Sequence, residues 1–233
     1  MDYKKLKYTI EDAAKNAGIT EYEVYYTEYR GMDVSVFASE IKSFNSDESR
    51  GICFRCRVNG KIGYASTEWM EEEELRSLPV RALENAALIE NTDNDDFYGT
   101  GDHYQKAETE IAPLAATGQY IEKALSCQKA CYDADSRVSE GTETSAGGYR
   151  TVICLFNSNG LDLSAAYGFD LVVTALVVRD GNDVNAAYSF SIISLDDIDT
   201  AALAKEAVKR SVQKIVAVEQ ESGKMPVIIS NEQ

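Results

Sequence analysis

Residues 51–68 read GICFRCRVNGKIGYASTE, and the fold class turns on what this stretch is. Side chains alternate faces along a strand, so Ile52, Phe54, Cys56 and Val58 share one side while Cys53, Arg55 and Arg57 share the other. An apolar row backed by a charged row, followed by Asn59-Gly60 and the returning run KIGYAS (61–66), predicts a β-hairpin. The same alternation disposes of a zinc knuckle. Cys53 and Cys56 point in opposite directions, and a knuckle needs its C-x-x-C on a tight turn with a second ligand pair elsewhere. One cysteine belongs to the core and one to the surface. Keeping Val58 and Ile62 on one face requires an odd-length loop, so a bulge over Asn59-Gly60-Lys61 is expected.

Working outward, apolar positions Leu6, Ile10, Ala13, Ala14 and Ala17 predict a helix over 4–17, ended by Gly18. Strand-like runs follow at 21–30, 32–39, 40–48 and 51–58. Along the first, Tyr22 and Tyr26 share one face and Tyr25 and Tyr29 the other, so one pair is a candidate for an exposed protein contact. Acidic residues Glu71–Glu74 suit a helix N-terminus, and Pro79 is expected to interrupt that helix, with a restart running to about Ile89.

Residues 90–113 are turn-rich and acidic, after which the order repeats. A helix is predicted over 118–132, with Ile121, Ala124, Leu125 and Gln128 on one face. Strands follow at 136–147, 149–156, 161–180 and 184–193, with turns at Asn159-Gly160 and Asp180-Gly181. A closing helix runs from Thr200 to about Val218 behind an Asp199 cap, with Leu203, Ala207, Val208, Ile215 and Val216 inward. Connections of a few residues cannot make parallel crossovers. The class is therefore α+β: antiparallel sheet or sheets with helices on one face, the helix–strands–helix arrangement occurring twice. The organisation is a first α+β layer over 1–90, an acidic linker over 91–113 and a second layer over 114–233, two layers compatible with a single N-terminal domain. Met225–Ser230 has the composition of a buried strand, and the chain is expected to continue into a further domain.

Composition narrows function. With 23 basic and 39 acidic residues the net charge is −16, a field that repels phosphate backbones and anionic headgroups. No direct nucleic-acid partner and no membrane partner are expected, and the N-terminus carries no secretory signal pattern. Five cysteines without a disulfide framework fit a reducing, cytoplasmic compartment. A single histidine, His103, argues against zinc and triad chemistry. Cys127 and Cys131 share a helix face but lack further ligands nearby, so they read as packing, as does Cys154. The acidic run DNDDF (93–97) lacks the spacing of a calcium loop and reads as solvated linker. We assign no catalytic, cofactor or metal residue. A hydrolase pairing a cysteine with His103 is the least favoured alternative.

The ordered set EYEVYYTE (21–28), RGICFRCRVNGKIGYASTE (50–68), NSNGLDLS (157–164) and SGKMPVIIS (222–230) resembles the TldD/PmbA family, known as modulators of DNA gyrase and as the TldD–TldE metallopeptidase system. The family's hairpin pattern is met by Gly51, Arg55, Gly60, Gly63, Ala65 and Thr67, and its late strand by Ser222, Gly223, Pro226 and Val227. The resemblance implies the N-terminal domain of one subunit of a two-subunit cytoplasmic metallopeptidase that processes peptides. In that system the TldD-type subunit holds zinc on an HExxxH helix, and the PmbA-type (TldE) subunit pairs with it without zinc. This chain has no HExxxH, and the wording of 21–28 and 50–68 is closer to the PmbA type. No cofactor is expected in the chain itself, which is not expected to be catalytic alone. Implied partners are a TldD-like subunit or a second copy, and an unfolded peptide. The alternative is a free-standing module that holds an extended peptide along an exposed sheet edge.

Overall fold

The computed structural model describes residues 3–92, 96–100, 103–105, 107–215, 217–218 and 221–229. In chain order these form α1 (Tyr3–Asn16), β1 (Tyr22–Phe37), β2 (Glu40–Val58), β3 (Lys61–Thr67), α2 (Glu72–Leu88), α3 (Thr117–Ala134), β4 (Glu143–Asn157), β5 (Asp162–Asp180), β6 (Asp183–Ile193) and α4 (Thr200–Ile215). The strands make one antiparallel six-stranded sheet in the order β3-β2-β1-β4-β5-β6. The expected class and the twice-repeated arrangement are both present, and β1 is the shared spine, pairing with β2 on one side and β4 on the other.

Several strands are longer than their sequence suggests. The runs 21–30 and 32–39 are one strand, as are 40–48 and 51–58, because continuous pairing carries the chain through Gly31 and Gly51. Conversely, β4 starts only at Glu143; residues 136–142 touch the sheet through an isolated Val138–Val178 bridge. Pro79 does not interrupt α2. It lies buried inside one helix of 17 residues, on a face with Leu75, Leu78, Ala82 and Ala86. A mid-helix proline costs about 3 kcal/mol, and two fully buried leucines on the same face supply about that much or more at 1.5–3 kcal/mol each.

The hairpin after Val58 is a plain two-residue turn, not a bulge. Val58 pairs with Lys61, and Asn59 and Gly60 take φ of 53° and 73°, the left-handed pair a tight hairpin requires. Ile62 therefore sits opposite Arg57, away from the core row, and Gly63 sits opposite Cys56 on the core side. There α2 lies so close that a Cβ on Gly63 would collide with the Ala82 carbonyl and the Ala86 backbone. The missing side chain lets the helix touch the sheet.

Two helical layers cover one face of the sheet. α1 and α2 bury Leu6, Ile10, Leu75 and Leu78 against Val24, Phe54, Cys56 and Phe156. α3 and α4 bury Tyr120, Ala124, Cys127 and Leu203 near Val34, Val36, Ala146 and Val172, with Cys131, Ala204, Ala207, Leu176 and Val178 adjoining. Asp199 caps α4, its Oδ1 accepting the N–H groups of Ala201 and Ala202 at 3.0 Å each. Met225–Ile229, read from sequence as a buried strand, is exposed and outside the sheet: Ile228 is 97% accessible.

Candidate functional site

Among the described residues no helix lies on the opposite face of the sheet. Even-numbered residues of β1 point to the helices and odd-numbered ones to the open face, so Tyr22 and Tyr26 pack on the first core while Tyr25 is exposed at 44%. The segment after α2 crosses part of this face as a strap. Phe97 is buried beneath two guanidinium groups, Arg55 at 4.9 Å and Arg57 at 5.4 Å from its ring centre. Arg55 is held by Glu23, buried on the same face, through bonds of 2.9 and 2.5 Å. Arg57 pairs with Asp96 at 2.8 Å. Two asparagines of the β4–β5 turn then grip the strap's backbone. Asn157 Nδ2 donates to the Tyr98 carbonyl at 2.7 Å and Asn159 Nδ2 to the Phe97 carbonyl at 2.8 Å.

Farther on, the strap rounds the part of β5 that β6 leaves uncovered. Ala166 N–H donates to the Glu108 carbonyl at 2.6 Å. Arg150 Nε donates to the Ala112 carbonyl at 2.7 Å, and its Nη2 to Pro113 and to Asp170. Asp170 is buried and also accepts from Tyr120 Oη at 2.8 Å and from Leu195 N–H at 3.1 Å. Burial and this bond push the Tyr120 hydroxyl up to about 12.

Between the two anchored ends lies a groove of about 520 Å³. Tyr25, Ile153, Leu155, Leu163 and Ala165 form its sheet wall, and Tyr104 and Ala107 belong to the strap side. Among the described residues of its lining the one carboxylate, Asp162, is engaged with Lys7 at 2.5 Å and Tyr3 Oη at 2.9 Å. Cys154, also in the lining, is buried, and burial pushes its thiol pKa up. The groove can hold apolar side chains of an extended chain, and its surroundings bind polypeptide through carbonyl oxygens.

The remaining sequence candidates fall as follows. Cys53 and Cys56 lie on opposite faces, half-buried and buried. Cys127 and Cys131 are buried together on α3, where the hydrogen bond between them and burial hold the Cys127 thiol protonated. His103 is exposed and its ring lies tilted against that of Tyr104, 4.2 Å between centres. Asp93–Asp95 of the DNDDF run lie outside the described residues, but Phe97 at its end is a buried anchor of the strap, not a solvated residue. Among the described residues no group of three or more histidine, cysteine, aspartate or glutamate side chains is placed to hold a metal ion. No helix there is long and apolar enough to cross a membrane. Sequence spacing marks Asn159 only as half of a turn and gives no role to Glu23, Asn157 or Arg150; the isolated Phe97 in an acidic run is the one visible cue.

This sheet with paired helical layers defines a class. Residues 22–89 match the model of the PmbA/TldA metallopeptidase domain 1, and residues 116–215 match that of the PmbA/TldA metallopeptidase central domain. The chain belongs to the PmbA/TldD metallopeptidase family. Among solved structures it resembles a candidate modulator of a DNA gyrase from Thermotoga maritima, with a TM-score of 0.83 and 16% identity over 95% of this chain and 50% of that one. It also resembles TldE from Thermococcus kodakarensis (TM-score 0.74, 19% identity, 86% of this chain and 46% of that one). A candidate modulator of DNA gyrase from Bacteroides thetaiotaomicron matches with a TM-score of 0.75 and 18% identity, over 94% of this chain and 52% of that one. The chain thus spans about half the length of these proteins. No match was found among curated proteins.

Proposed function

We propose that the chain is the N-terminal portion of a PmbA/TldE-like subunit in a two-subunit cytoplasmic metallopeptidase system that processes peptides. Its role is to scaffold the assembly and steer extended substrate, while zinc belongs to a TldD-type partner. The observation that carries this reading is the presence, in order, of the family's first and central domains. The strap supports the substrate-handling part, since Asn157, Asn159 and Arg150 already recognise extended backbone by its carbonyls. The test is reconstitution. The protein carrying this chain, a TldD-type subunit, and their mixture are assayed on an unfolded peptide with zinc measured in each. Cleavage by the mixture alone, with zinc only in the TldD-type subunit, is expected. Stoichiometric zinc bound by this chain, or cleavage unaffected by its omission, defeats the proposal.

A second reading is favoured by one feature, the uncovered length of sheet edge: a module that holds an extended peptide as an added strand. β3 pairs only with Ile52–Val58, leaving Glu40–Arg50 of β2 exposed along its outer side. Titration with unfolded peptides, followed by backbone amide shifts in β2, tests it. Absence of shifts at millimolar peptide removes it.

A further inference from the structure

Three times this protein seats a cation on an aromatic ring beside a carboxylate. Arg55 and Arg57 cover Phe97 next to Glu23 and Asp96. Lys42 Nζ stands 5.8 Å from the Phe37 ring centre and 2.7 Å from Glu143. Lys7 Nζ stands 5.4 Å from the Phe156 ring centre and is held by Asp162. The combination is favourable because ring face and carboxylate attract the same charge. A fourth set of rings and carboxylates lies on the open face of the sheet, and there, among the described residues, no lysine or arginine pairs with either carboxylate, Asp33 or Asp47.

Register builds this set. Across β2, β1, β4 and β5 one open-face row reads Asp47, Gly31, Tyr149 and Phe169. Tyr29 leans over Gly31: a Cβ there would run into its hydroxyl and meet an Asp47 oxygen at 3.1 Å. Tyr29 and Tyr149 stack with ring centres 6.1 Å apart, and Tyr149 meets Phe169 at 5.3 Å. Asp33, on the next row, accepts from Asn45 Nδ2 at 3.1 and 3.3 Å. Burial, together with these two carboxylates, pushes both tyrosine hydroxyls up, so the negative field reaches the rings. The rings also continue the groove beneath the strap. Ile153 and Ala165 of its wall form one row, and Thr151–Tyr167 and Tyr149–Phe169 are the next two. Tyr167 and Phe169 are 56% and 43% exposed. Four residues of strand separate Ile153 from Tyr149, a rise of about 13 Å. An extended peptide covers that distance in four residues, turning every second side chain to the sheet.

We propose that this face seats a cationic stretch of unfolded peptide substrate: an aliphatic side chain enters the groove, and a lysine or arginine four residues away lies on Tyr29, Tyr149 and Phe169 beside Asp33 and Asp47. Charge decides the occupant. The chain carries a net −16, so its field draws cationic peptide in and turns anionic peptide away. At the seat itself, ring faces and carboxylates reject an acidic side chain. The inference rests on the substrate-handling reading above and adds the class of peptide handled. It is distinct from strand addition at the β2 edge, because recognition is by side chains and not by backbone pairing.

The probe is a fluorescein-labelled glycine–serine peptide with one leucine and, four residues away in either order, one arginine, titrated by anisotropy against the 233-residue chain. Companion peptides replace the arginine by glutamine, replace the leucine by glycine, or set the two side chains only two residues apart. Each companion is expected to bind about tenfold more weakly. Asp33→Asn with Asp47→Asn is expected to weaken the arginine peptide about tenfold and leave the glutamine peptide unchanged. Glu73→Gln with Glu84→Gln, exposed on α2 across the sheet, removes the same charge and is expected to change neither. Circular dichroism shows that both double variants are folded. Equal weakening by the two double variants overturns the seat, since only the general field is then at work. Binding indifferent to the arginine or to the spacing overturns it as well. Full competition by argininamide makes a small cation the occupant, and a dimer that dissolves in the Asp33→Asn, Asp47→Asn variant makes it a second copy; either result overturns the proposal. The two readings fail separately. Cleavage of the arginine peptide by the reconstituted subunits that ignores the two aspartates defeats the seat and leaves the subunit reading. Binding as expected, with no cleavage by the mixture, defeats the subunit reading and leaves the seat.

Discussion

The two helical layers sit on one sheet and are built on different principles. Beneath α1 and α2 the core is apolar, its largest fully buried side chains being Phe54, Phe156, Ile10, Leu75 and Leu78. Beneath α3 and α4, polar groups are buried as well: Gln128, Thr144, Thr174 and Ser211. Gln128 accepts from Ser39 N–H at 2.8 Å and donates to the carbonyls of Val36 and Thr142 at 3.0 Å each. It thereby pins the β1–β2 turn, where Ala38 and Ser39 both take positive φ without being glycine. Thr144 Oγ1 donates to Thr174 Oγ1 at 2.9 Å, and Ser211 reaches the Leu176 carbonyl at 3.3 Å. The first layer is specified by volume and close approach. The second is specified by satisfied hydrogen bonds, which cost most when one partner is removed.

The largest effect expected from breaking this contrast is at Gly63. Gly63→Val drives a branched side chain into the α2 backbone, and the expected outcome is loss of cooperative unfolding with the helix displaced, read by thermal melts and far-ultraviolet dichroism. Next comes Leu75→Ala in the same layer, expected to cost about 2–5 kcal/mol in denaturant unfolding as a cavity forms. In the second layer, the nearly volume-neutral Gln128→Met should be mild if volume decided stability there. The expectation is instead a loss of about 2–3 kcal/mol, because buried carbonyls lose their donor. A change below about 0.5 kcal/mol would show that the layers do not differ.

Tyr120→Phe is smaller, about 1–2 kcal/mol, and carries a pH signature. The hydroxyl lies at about 12 in the folded protein against 10.0 otherwise, so its contribution is complete below pH 10 and is lost as pH rises through 12. The variant should lose part of the wild-type protein's sensitivity in that window. The smallest effect is at the surface. The Arg137 guanidinium and backbone N–H hold Asp135 down at about 2 against 3.8, so its contribution is present above pH 4 and disappears as pH falls through 2. Asp135→Asn should flatten only that acid limb of the stability curve.

Period and turn chemistry were enough, from sequence alone, to place the helices, the hairpin chemistry at Asn59-Gly60, the antiparallel class and the burial of Cys56, Cys127, Cys131 and Cys154. Those features depend on neighbours within a few residues, and local spacing records them. The strap, the Gln128 clamp and the register of Gly63 against α2 join residues far apart in the chain, and spacing is silent about such partners. Pro79 was misread for the same reason: the penalty is local, while the packing that outweighs it comes from α1 and the sheet. Whether two helical layers share one sheet was decided only by tertiary structure. β1 can be long because its two ends are paid for by different cores, and no single window of sequence contains both.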